Sequence, residues 1–452
     1  MTNNNQFRVS PWLINSILLL LGIGATSCSN SLSNQSNGNK AETVSNLSNQ
    51  SHSNKAETVS HTKLPLGFSV EKMDTKVDPK QDFHRFAAGK WLDTTTLPSD
   101  KLILSGLDLL SVEVSQQLQQ ITKQAATQST KAPKGSPLQQ VGDLYAGGMD
   151  VKRLESLGVS PLKPIFERVE AIDSLPALAK TLAQQQITLS DPVILGATVN
   201  GDLEDAKTNI ITVGGGTLGL PSQDDYLSPD KAAIRQAYLD YVTAALEIAG
   251  SSPTEAASAA KKILEMETRI ASKQLSPTEK RDFKKAITKI SFAQLQSLLS
   301  NLDMKIYFQE LGLPTTGNVL VEDSGSLADL NLMLKEYPID DIKTYFRWAL
   351  LRQTMNYLTP EFEKPLLAFN KVYYGQNFEL PPRTERVTNL IGQKYGHPLS
   401  QLYVKEHFSA ESKKQVEEMI QQIKTLFRGR LEGNKWLTDA TRKLALEKLD
   451  RI

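Results

Sequence analysis

The sequence predicts a mainly α-helical protein that carries one small β element. Over most of the chain after residue 68, apolar residues recur every three or four positions, which is the spacing of one face of a helix. Several of these stripes begin at a Ser-Pro pair or a capping-box pattern, both typical of helix starts. Two short runs, 192–199 and 209–213, have the apolar and β-branched composition of strands. We therefore expect a large helical lobe with a small β element, preceded by a signal peptide and a disordered tether.

The first 27 residues have the pattern of an export signal. Arg8 precedes an apolar stretch over 12–24, which as a helix would rise about 20 Å and so falls short of the roughly 30 Å of a bilayer core. Small residues at 25–27 lead to Cys28, the single cysteine of the chain. This arrangement resembles a bacterial lipobox, so we expect lipidation at Cys28 and a lipid-anchored protein of the cell envelope, in the outer membrane or periplasm if the host has one. The alternative is an ordinary signal peptide followed by an incidental cysteine.

Residues 28–63 form a polar segment rich in Ser and Asn. Residues 32–36 recur as 47–51, so a unit of 15 residues (the offset from 32 to 47) occurs twice. Such a unit has little apolar surface to bury, which predicts a flexible tether between the lipid and the folded body. His52 and His61 lie in this segment, and we expect them to be solvated and not to bind a metal.

The folded body is expected over 64–452. Its first apolar stripe, over 107–121, predicts a helix. The two strand-like runs that follow predict a hairpin that turns at Asn200-Gly201, because an Asn-Gly pair suits a two-residue turn.

Three further helices follow the predicted hairpin. The second helix begins with Ser228 as its cap and Pro229 at its first position, and it ends at Gly250. A capping box with an internal proline, over 252–255, opens the third. A fourth carries its apolar stripe over 416–431. We expect all of these stripes to pack in the core.

The composition excludes several classes of protein. The 452 residues include 51 Lys and Arg against 50 Asp and Glu, so the net charge is +1 and gives no sign of a nucleic-acid partner. With one cysteine and five histidines, the chain is neither a disulfide scaffold nor a Cys-rich zinc fold.

Catalytic patterns are incomplete in this sequence. Zinc peptidases commonly place two histidines four positions apart with a glutamate between them, and no pair here has that spacing. Glu406-His407 could end the inverted motif H-x-x-E-H, but Tyr403 occupies its first position. The G-x-G-x-x-G pattern over 214–219 follows a strand-like run, yet 220–226 lacks the helical periodicity that a dinucleotide site needs, so we expect a turn there.

Four groups of residues match a family pattern in the same order over about 68–452. The first reads M-D-T-K-V-D-P-K-Q-D-F and runs on to A-A-G-K-W-L. The groups are 73–83 with 87–92, 141–145 with 149–150 and 157–158, 219–221 with 225–227, and 402–408 with 436–449. Together they resemble the N-terminal, largely helical part of the neprilysin family of zinc metallopeptidases, which includes neprilysin-like and endothelin-converting-enzyme-like members.

The resemblance implies zinc as cofactor, although the zinc ligands of the family have no counterpart here. They lie on a helix with HExxH and in a later E-x-x-x-D motif, both downstream of the region that matches 436–452. The sequence therefore matches no metal ligand and no catalytic residue, and its substrate-binding residues cannot be assigned. Lys80 and Ala88 stand where animal members have cysteines, which implies that those disulfides are absent, and His84 replaces a usual tyrosine.

The expected function follows from this resemblance. We expect the N-terminal, substrate-enclosing part of a membrane-anchored, neprilysin-like zinc metalloendopeptidase that acts on short peptides and is not catalytic alone. Thr438 caps a final helix whose apolar positions Ala445, Leu449 and Ile452 need a partner, so a separate catalytic-domain chain is an expected partner. The alternatives are a non-enzymatic peptide-binding lipoprotein and a degenerate fragment.

Overall fold

The computed structural model describes residues 70–189, 192–205 and 207–452. Over these residues the protein is mainly α-helical and contains one four-stranded sheet, so the predicted fold class is confirmed. The predicted signal peptide and tether, with Cys28, His52 and His61, lie outside the described residues and stay predictions.

The elements follow the chain in an order that places the sheet strands between helices. They are α1 (Phe83–Thr94), α2 (Gly106–Gln128), α3 (Pro137–Met149), α4 (Val151–Leu157), α5 (Lys163–Glu170), α6 (Leu175–Leu189), β1 (Leu195–Gly201), β2 (Asn209–Gly215), α7 (Gln223–Leu227), α8 (Ala232–Ile248), α9 (Pro253–Lys273), α10 (Phe283–Ala286), β3 (Ile287–Ser291), α11 (Phe292–Leu298), α12 (Met304–Glu310), β4 (Asn318–Glu322), α13 (Ser324–Glu336), α14 (Ile339–Thr354), α15 (Glu363–Tyr374), α16 (Arg383–Lys394), α17 (Gly396–His407), α18 (Ala410–Glu432) and α19 (Asp439–Asp450). Among the described residues, no helix combines the length and the apolar composition that crossing a bilayer requires.

The sheet has the strand order β1-β2-β4-β3. The hairpin of β1 and β2 is confirmed, but its predicted turn is wrong: Asn200 and Gly201 remain in β1, and Gly201 pairs with Asn209. The Asn-Gly pair forms the last two residues of the strand because the antiparallel pairing runs through it. In the middle of the sheet β2 and β4 run parallel, with Ile211 opposite Val319.

The predicted helix starts agree with the structure in part. The capping box at Ser252 is formed, because its hydroxyl accepts from the N–H of Glu255 while the Glu255 carboxylate accepts from the N–H of Ser252. Gly250 has φ +98°, as expected for a glycine that follows a helix. Ser228 is the N-cap residue of a 3-10 turn over Pro229–Lys231 that leads directly into α8, with Pro229 at its first position. The predicted place of the cap is therefore confirmed, although the Ser228 side chain makes no capping hydrogen bond.

The larger hydrophobic core lies between the sheet and the helices around it, from α5 to α15. The largest of its fully buried side chains is that of Trp348 on α14. The indole packs edge-on against the rings of Tyr238 and Tyr241 of α8, with centroid distances of 6.2 and 5.8 Å. Its Nε1–H donates to the hydroxyl of Tyr238 at 3.0 Å. The aromatic contacts therefore join α8 to α14 through both packing and hydrogen bonding.

A second, smaller core joins distant parts of the chain. Helices α2 and α3 pack against α16 and α17, and the buried residues there are Ile121, Ala125, Val141, Tyr145, Val387, Ile391 and Leu399. Glu363 of α15 connects this bundle to the larger core, because its carboxylate accepts from Arg383 and Arg386 of α16 at 2.7 Å each. The first and last thirds of the described chain thus complete one bundle.

Gly142 sets the spacing between α2 and α3. A Cβ at this position would lie 2.4 Å from the carbonyl oxygen of Ala125, and that backbone cannot move aside cheaply. We expect Gly142→Ala to lower the free energy of unfolding by about 1–3 kcal/mol, measured by urea denaturation. Gly147→Ala on the same helix is the matched control, because no atom lies within 4 Å of its Cβ. The control should gain about 0.5–1 kcal/mol, and an equal loss in both variants would contradict the packing argument.

Two of the predicted stripes are not fully buried. On α2 the stripe is buried only towards its end, because Leu107 and Leu110 are 62% and 38% exposed while Ile121 is 2% exposed. On α18 the stripe faces solvent. None of its residues is buried, and Val416, Met419, Ile423 and Phe427 are between 42% and 59% exposed. The prediction that this stripe packs in the core is therefore wrong for the described residues. The sequence shows which face of a helix is apolar, but not whether the same chain covers it.

Candidate functional site

The three histidines among the described residues do not come together. His84 lies exposed on α1, while His397 and His407 lie exposed at the two ends of α17, where the His407 ring contacts that of Tyr403 at 5.1 Å. In the part of the chain that the structure describes, no three His, Cys, Asp or Glu side chains are placed to hold a metal ion. The described residues thus do not fit the zinc that the resemblance implies, and no step of zinc-dependent hydrolysis is assigned to them.

The glycine pattern over 214–219 serves close packing. Gly214 lies in β2, and no helix begins at Gly219, in agreement with the expected turn. A Cβ on Gly216 would lie 1.9 Å from the carbonyl oxygen of Val193, and one on Gly219 would lie 1.8 Å from the hydroxyl of Tyr238. The prediction that 220–226 contains no helix is wrong in part, because Ser222 caps the five-residue helix α7, which begins at Gln223.

A buried carboxylate anchors this glycine segment through a hydrogen bond. Glu267 of α9 is 1% exposed, and its Oε2 accepts from the hydroxyls of Tyr226 and Tyr238 at 2.9 and 2.8 Å. Its Oε1 accepts from the backbone N–H of Gly219 at 3.1 Å. Burial raises the pKa of Glu267, and the hydrogen bonds from the two tyrosines oppose part of that increase.

Sequence reasoning did not single out Glu267, although a signal was present. The residue lies four positions after Ile263 and three before Ile270, which places a carboxylate on the apolar face of its helix. Buried charged side chains need several hydrogen-bonding partners, and those partners come from α7, α8 and the glycine segment. Their convergence depends on the tertiary fold.

An open cleft of about 830 Å³ lies in front of the glycine segment, and we call it the strand-end cleft. It is bounded by residues 215–223, by residues 274–287 and by the ends of β4 and the start of α13. The parallel strands β2 and β4 both end at this cleft, at Gly215 and Glu322. Ligands commonly bind outside the carboxyl ends of parallel strands, and pockets of this size are usual for small ligands.

Two cations lie on the walls of the strand-end cleft. Arg352 of α14 donates from Nη2 to the carbonyl and hydroxyl oxygens of Thr217 at 2.8 and 2.9 Å, while its buried Nε has no hydrogen-bond partner. Lys280 donates to the side-chain oxygen of Gln274 at 3.1 Å. Among the described residues neither cation forms an ion pair within 4 Å, but the charge of Arg352 opposes part of the rise that burial causes in the pKa of Glu267. The guanidinium is therefore partly compensated by that buried carboxylate.

Two acidic residues, Glu322 and Asp323, also line the cleft. Asp323 follows β4 in the left-handed region, with φ +47°, and its carboxylate accepts from the N–H groups of Ser326 and Leu275 at 3.1 and 2.7 Å. A strained non-glycine residue of this kind persists only where its surroundings fix it. Glu322, beside it, pairs with Ile287 through the sheet, and its exposed carboxylate makes no hydrogen bond or ion pair with the described residues.

The sequence as a whole matches a known family. The model of peptidase family M13 that covers its amino-terminal part matches residues 79–452. The chain belongs to peptidase family M13. This membership confirms the resemblance to the neprilysin family of zinc metallopeptidases that the ordered motifs indicated.

Relatives in other organisms agree with membership of family M13. The chain is 25% identical to endothelin-converting enzyme-like 1 of Rattus norvegicus over 402 residues, which cover 84% of the chain and 51% of that protein. It is 25% identical to endothelin-converting enzyme 1 of Mus musculus over 395 residues, covering 85% and 51%. The chain therefore spans about half the length of the curated relatives it matches.

Solved structures show the same fold. The zinc metalloprotease Zmp1 of Mycobacterium tuberculosis, solved with an inhibitor, has a TM-score of 0.74 at 24% identity, over 86% of this chain and 58% of that one. PepO from Lactobacillus rhamnosis HN001 has a TM-score of 0.66 at 22% identity, over 80% and 57%. At these identities the likeness establishes the fold alone.

Proposed function

We propose that this M13 chain is the substrate-enclosing part of a lipid-anchored metalloendopeptidase that acts on short peptides. In this proposal the chain hydrolyses peptides only together with a part that supplies the zinc site. Family membership over residues 79–452 carries the proposal. The described residues bring no metal-holding group together, so their proposed task is to bind and enclose the peptide.

The exposed face of α18 and α19 is the proposed contact with the catalytic part. Besides the stripe on α18, Trp436 is 81% exposed and Leu444 is 65% exposed. A large exposed apolar surface usually marks an interaction site. The curated relatives are about twice as long as the matched region. We therefore propose that the part of them outside this region corresponds to the partner that packs on this face.

The chain should be inactive by itself. With added Zn²⁺, the purified 452-residue chain should cleave a quenched fluorescent short peptide no faster than the buffer does, because no described group of residues can hold the metal. The measurement is the rate with and without a chelator. Cleavage that the chelator abolishes would overturn the non-catalytic part of the proposal.

The DNA that follows codon 452 tests the proposed partner separately. A reading frame there that encodes H-E-x-x-H would support a catalytic part made as a neighbouring or continuous product. Its absence, together with the absence of any copurifying HExxH chain, would contradict a two-part peptidase.

The lipid anchor predicts a change in location. Cys28→Ser should move the protein from the membrane fraction to the soluble fraction, because the thiol of Cys28 is the proposed site of acylation. Immunoblots of fractionated cells measure the change, and Ser33→Ala in the same segment is the matched control. Membrane retention of Cys28→Ser would contradict the anchor.

The strand-end cleft favours a second candidate function. A cleft lined by basic, acidic and apolar side chains can bind a peptide without cleaving it, as in a non-enzymatic peptide-binding lipoprotein. This function predicts saturable peptide binding by the chain and no catalytic partner in the same cells.

A further inference from the structure

A short run of exposed cations lies between α9 and β3. Residues 280–285 read K-R-D-F-K-K, and all of them are exposed. The ring of Phe283, which is 67% exposed, lies among the four cations. We call this run the basic segment. Exposed cations around an exposed aromatic ring are typical of surfaces that contact anionic membranes.

We propose that the basic segment docks the folded body onto an anionic membrane surface, with its cations at the lipid headgroups and the Phe283 ring in the interface. This inference goes beyond the proposed peptidase role. It rests on the lipid anchor proposed at Cys28 only for its setting, because the anchor would bring a membrane within reach. A flexible chain as long as the tether predicted over 28–63 spans about 30–40 Å.

Three cations of the basic segment have no ion pair. Among the residues that the structure describes, the side chains of Arg281 and Lys284 form no hydrogen bond and no ion pair. Lys280 donates only to the neutral side-chain oxygen of Gln274, at 3.1 Å. These three charges are therefore free to attract lipid phosphates from outside the chain.

The carboxylates within and beside the segment cancel only part of this charge. Asp282 accepts from the backbone N–H of Lys284 at 3.2 Å. Glu279 accepts from the N–H and the hydroxyl of Ser276 at 3.1 and 2.7 Å. The hydrogen bonds from Ser276 lower the pKa of Glu279 and the charge of Lys285 adds to this effect, so Lys285 is partly compensated. With both carboxylates counted, two positive charges remain in excess.

The fold fixes both ends of the basic segment. At its start the N–H of Lys280 donates to the carbonyl oxygen of Ser276 at 2.9 Å. Just after its end the carbonyl oxygen of Ala286 accepts from the N–H of Asp323 at 2.8 Å, and β3 begins to pair with β4 at Ile287. A segment that is already held at both ends loses less conformational entropy on binding than a free one.

The size of the segment favours a membrane over an acidic protein. A stable protein interface buries roughly 800 Å² on each partner, which is more than six consecutive residues provide. A membrane surface instead gains about fivefold in affinity from each nearby Lys or Arg. It also offers an apolar layer to the Phe283 ring without a matching pocket.

Two members of the basic segment also line the strand-end cleft. Lys280 and Phe283 lie there together with Glu322, whose negative charge opposes an anionic surface. Arg281 and Lys284 do not line the cleft. The charge variants below therefore change these two residues and leave the cleft lining intact.

Vesicle sedimentation tests the proposal. The full chain with Cys28→Ser, which has no thiol to acylate, is mixed with vesicles of phosphatidylcholine alone or of phosphatidylcholine and phosphatidylglycerol in equal parts. Binding should be at least about tenfold tighter to the mixed vesicles and should fall as NaCl is raised, because salt screens the attraction. Equal binding to both kinds of vesicle would overturn the proposal.

Matched charge variants locate the binding. Arg281→Glu combined with Lys284→Glu should weaken binding to the mixed vesicles by about tenfold or more. Lys152→Glu combined with Arg153→Glu on α4 is the control, because the same two residue types are exposed there without an ion pair. The control should bind like the unchanged chain. An equal loss in both pairs would show a general charge effect and overturn the assignment.

The aromatic ring distinguishes a lipid surface from other polyanions. Phe283→Ala should weaken binding to the mixed vesicles by about threefold or more, because the ring no longer enters the interface. Phe83→Ala is the matched control, since Phe83 is 69% exposed and lies on α1, outside the segment. If Phe283→Ala bound as tightly as the unchanged chain, only charge would be recognised, and the assignment to lipid would be overturned.

Two further measurements complete the design. Denaturation curves confirm that each variant is folded. Membranes from the Cys28→Ser cells are washed with high salt before the anchor is scored, because salt releases electrostatic docking and leaves an acyl anchor in place. The docking surface can therefore fail while the anchor is found, and the anchor can fail while the segment binds vesicles.

Discussion

Replacing Trp348 with alanine is expected to lower the free energy of unfolding by about 3–5 kcal/mol, which is the usual cost of removing a buried Trp. The indole is fully buried where α8 meets α14. Alanine would leave a cavity between Tyr238 and Tyr241, whose rings lose both edge-on contacts. It would also remove the Nε1–H that donates to the hydroxyl of Tyr238. Urea denaturation followed by far-UV circular dichroism measures the loss.

A second substitution separates packing from hydrogen bonding at this position. Trp348→Phe keeps an aromatic ring but has no N–H, so it should cost less than Trp348→Ala. If both variants lost the same stability, the hydrogen bond to Tyr238 would outweigh the cavity. A loss under about 1 kcal/mol in Trp348→Ala would contradict the central place of this residue in the core.

Removing the buried carboxylate is the second large expected effect. Glu267→Ala should cost about 3–5 kcal/mol, because it takes the acceptor away from Tyr226, Tyr238 and the N–H of Gly219 and leaves a cavity. Glu267→Gln is the matched control, since the amide has nearly the same size and keeps an acceptor oxygen. The control should cost about 1 kcal/mol. Both values come from urea denaturation at the same pH.

The pH dependence of these variants follows from the pKa of Glu267. Burial raises this pKa above its ordinary value of 4.5, so the folded protein favours the protonated carboxyl. The corresponding stability is fully present below pH 4.5 and is lost as the pH rises through the folded-state pKa. The stability of the natural chain relative to Glu267→Gln should therefore fall as the pH rises from 4.5. A difference that stayed constant or grew with pH would contradict a raised pKa.

Much of the fold was predictable because it depends on neighbours in sequence. The capping box at Ser252 and the left-handed Gly250 involve residues only a few positions apart, so local spacing predicts them. The hairpin was recognised from its two strand-like runs. Its turn was misplaced because the pairing of Gly201 with Asn209 depends on the register of the whole strand pair.

The functional site was harder to predict because its parts come from distant segments. Arg352 meets Thr217 across 135 positions, and Glu267 meets Gly219 across 48. A pattern search treats each of these residues as an ordinary member of its own helix. The parallel pairing of β2 with β4, which brings two strand ends to one cleft, joins residues 211–213 to residues 319–321.

Local patterns in the sequence were enough to predict the helical class and to identify family M13. Periodicity, helix caps and the order of motifs can all be recognised without a structure. The tertiary fold decided the rest. It buried Glu267 within an apolar helix face, left the stripe of α18 exposed and brought two cations and two carboxylates to the lining of one cleft. The physical reason is that burial and charge pairing depend on what packs across each face, and those partners lie far away in the chain.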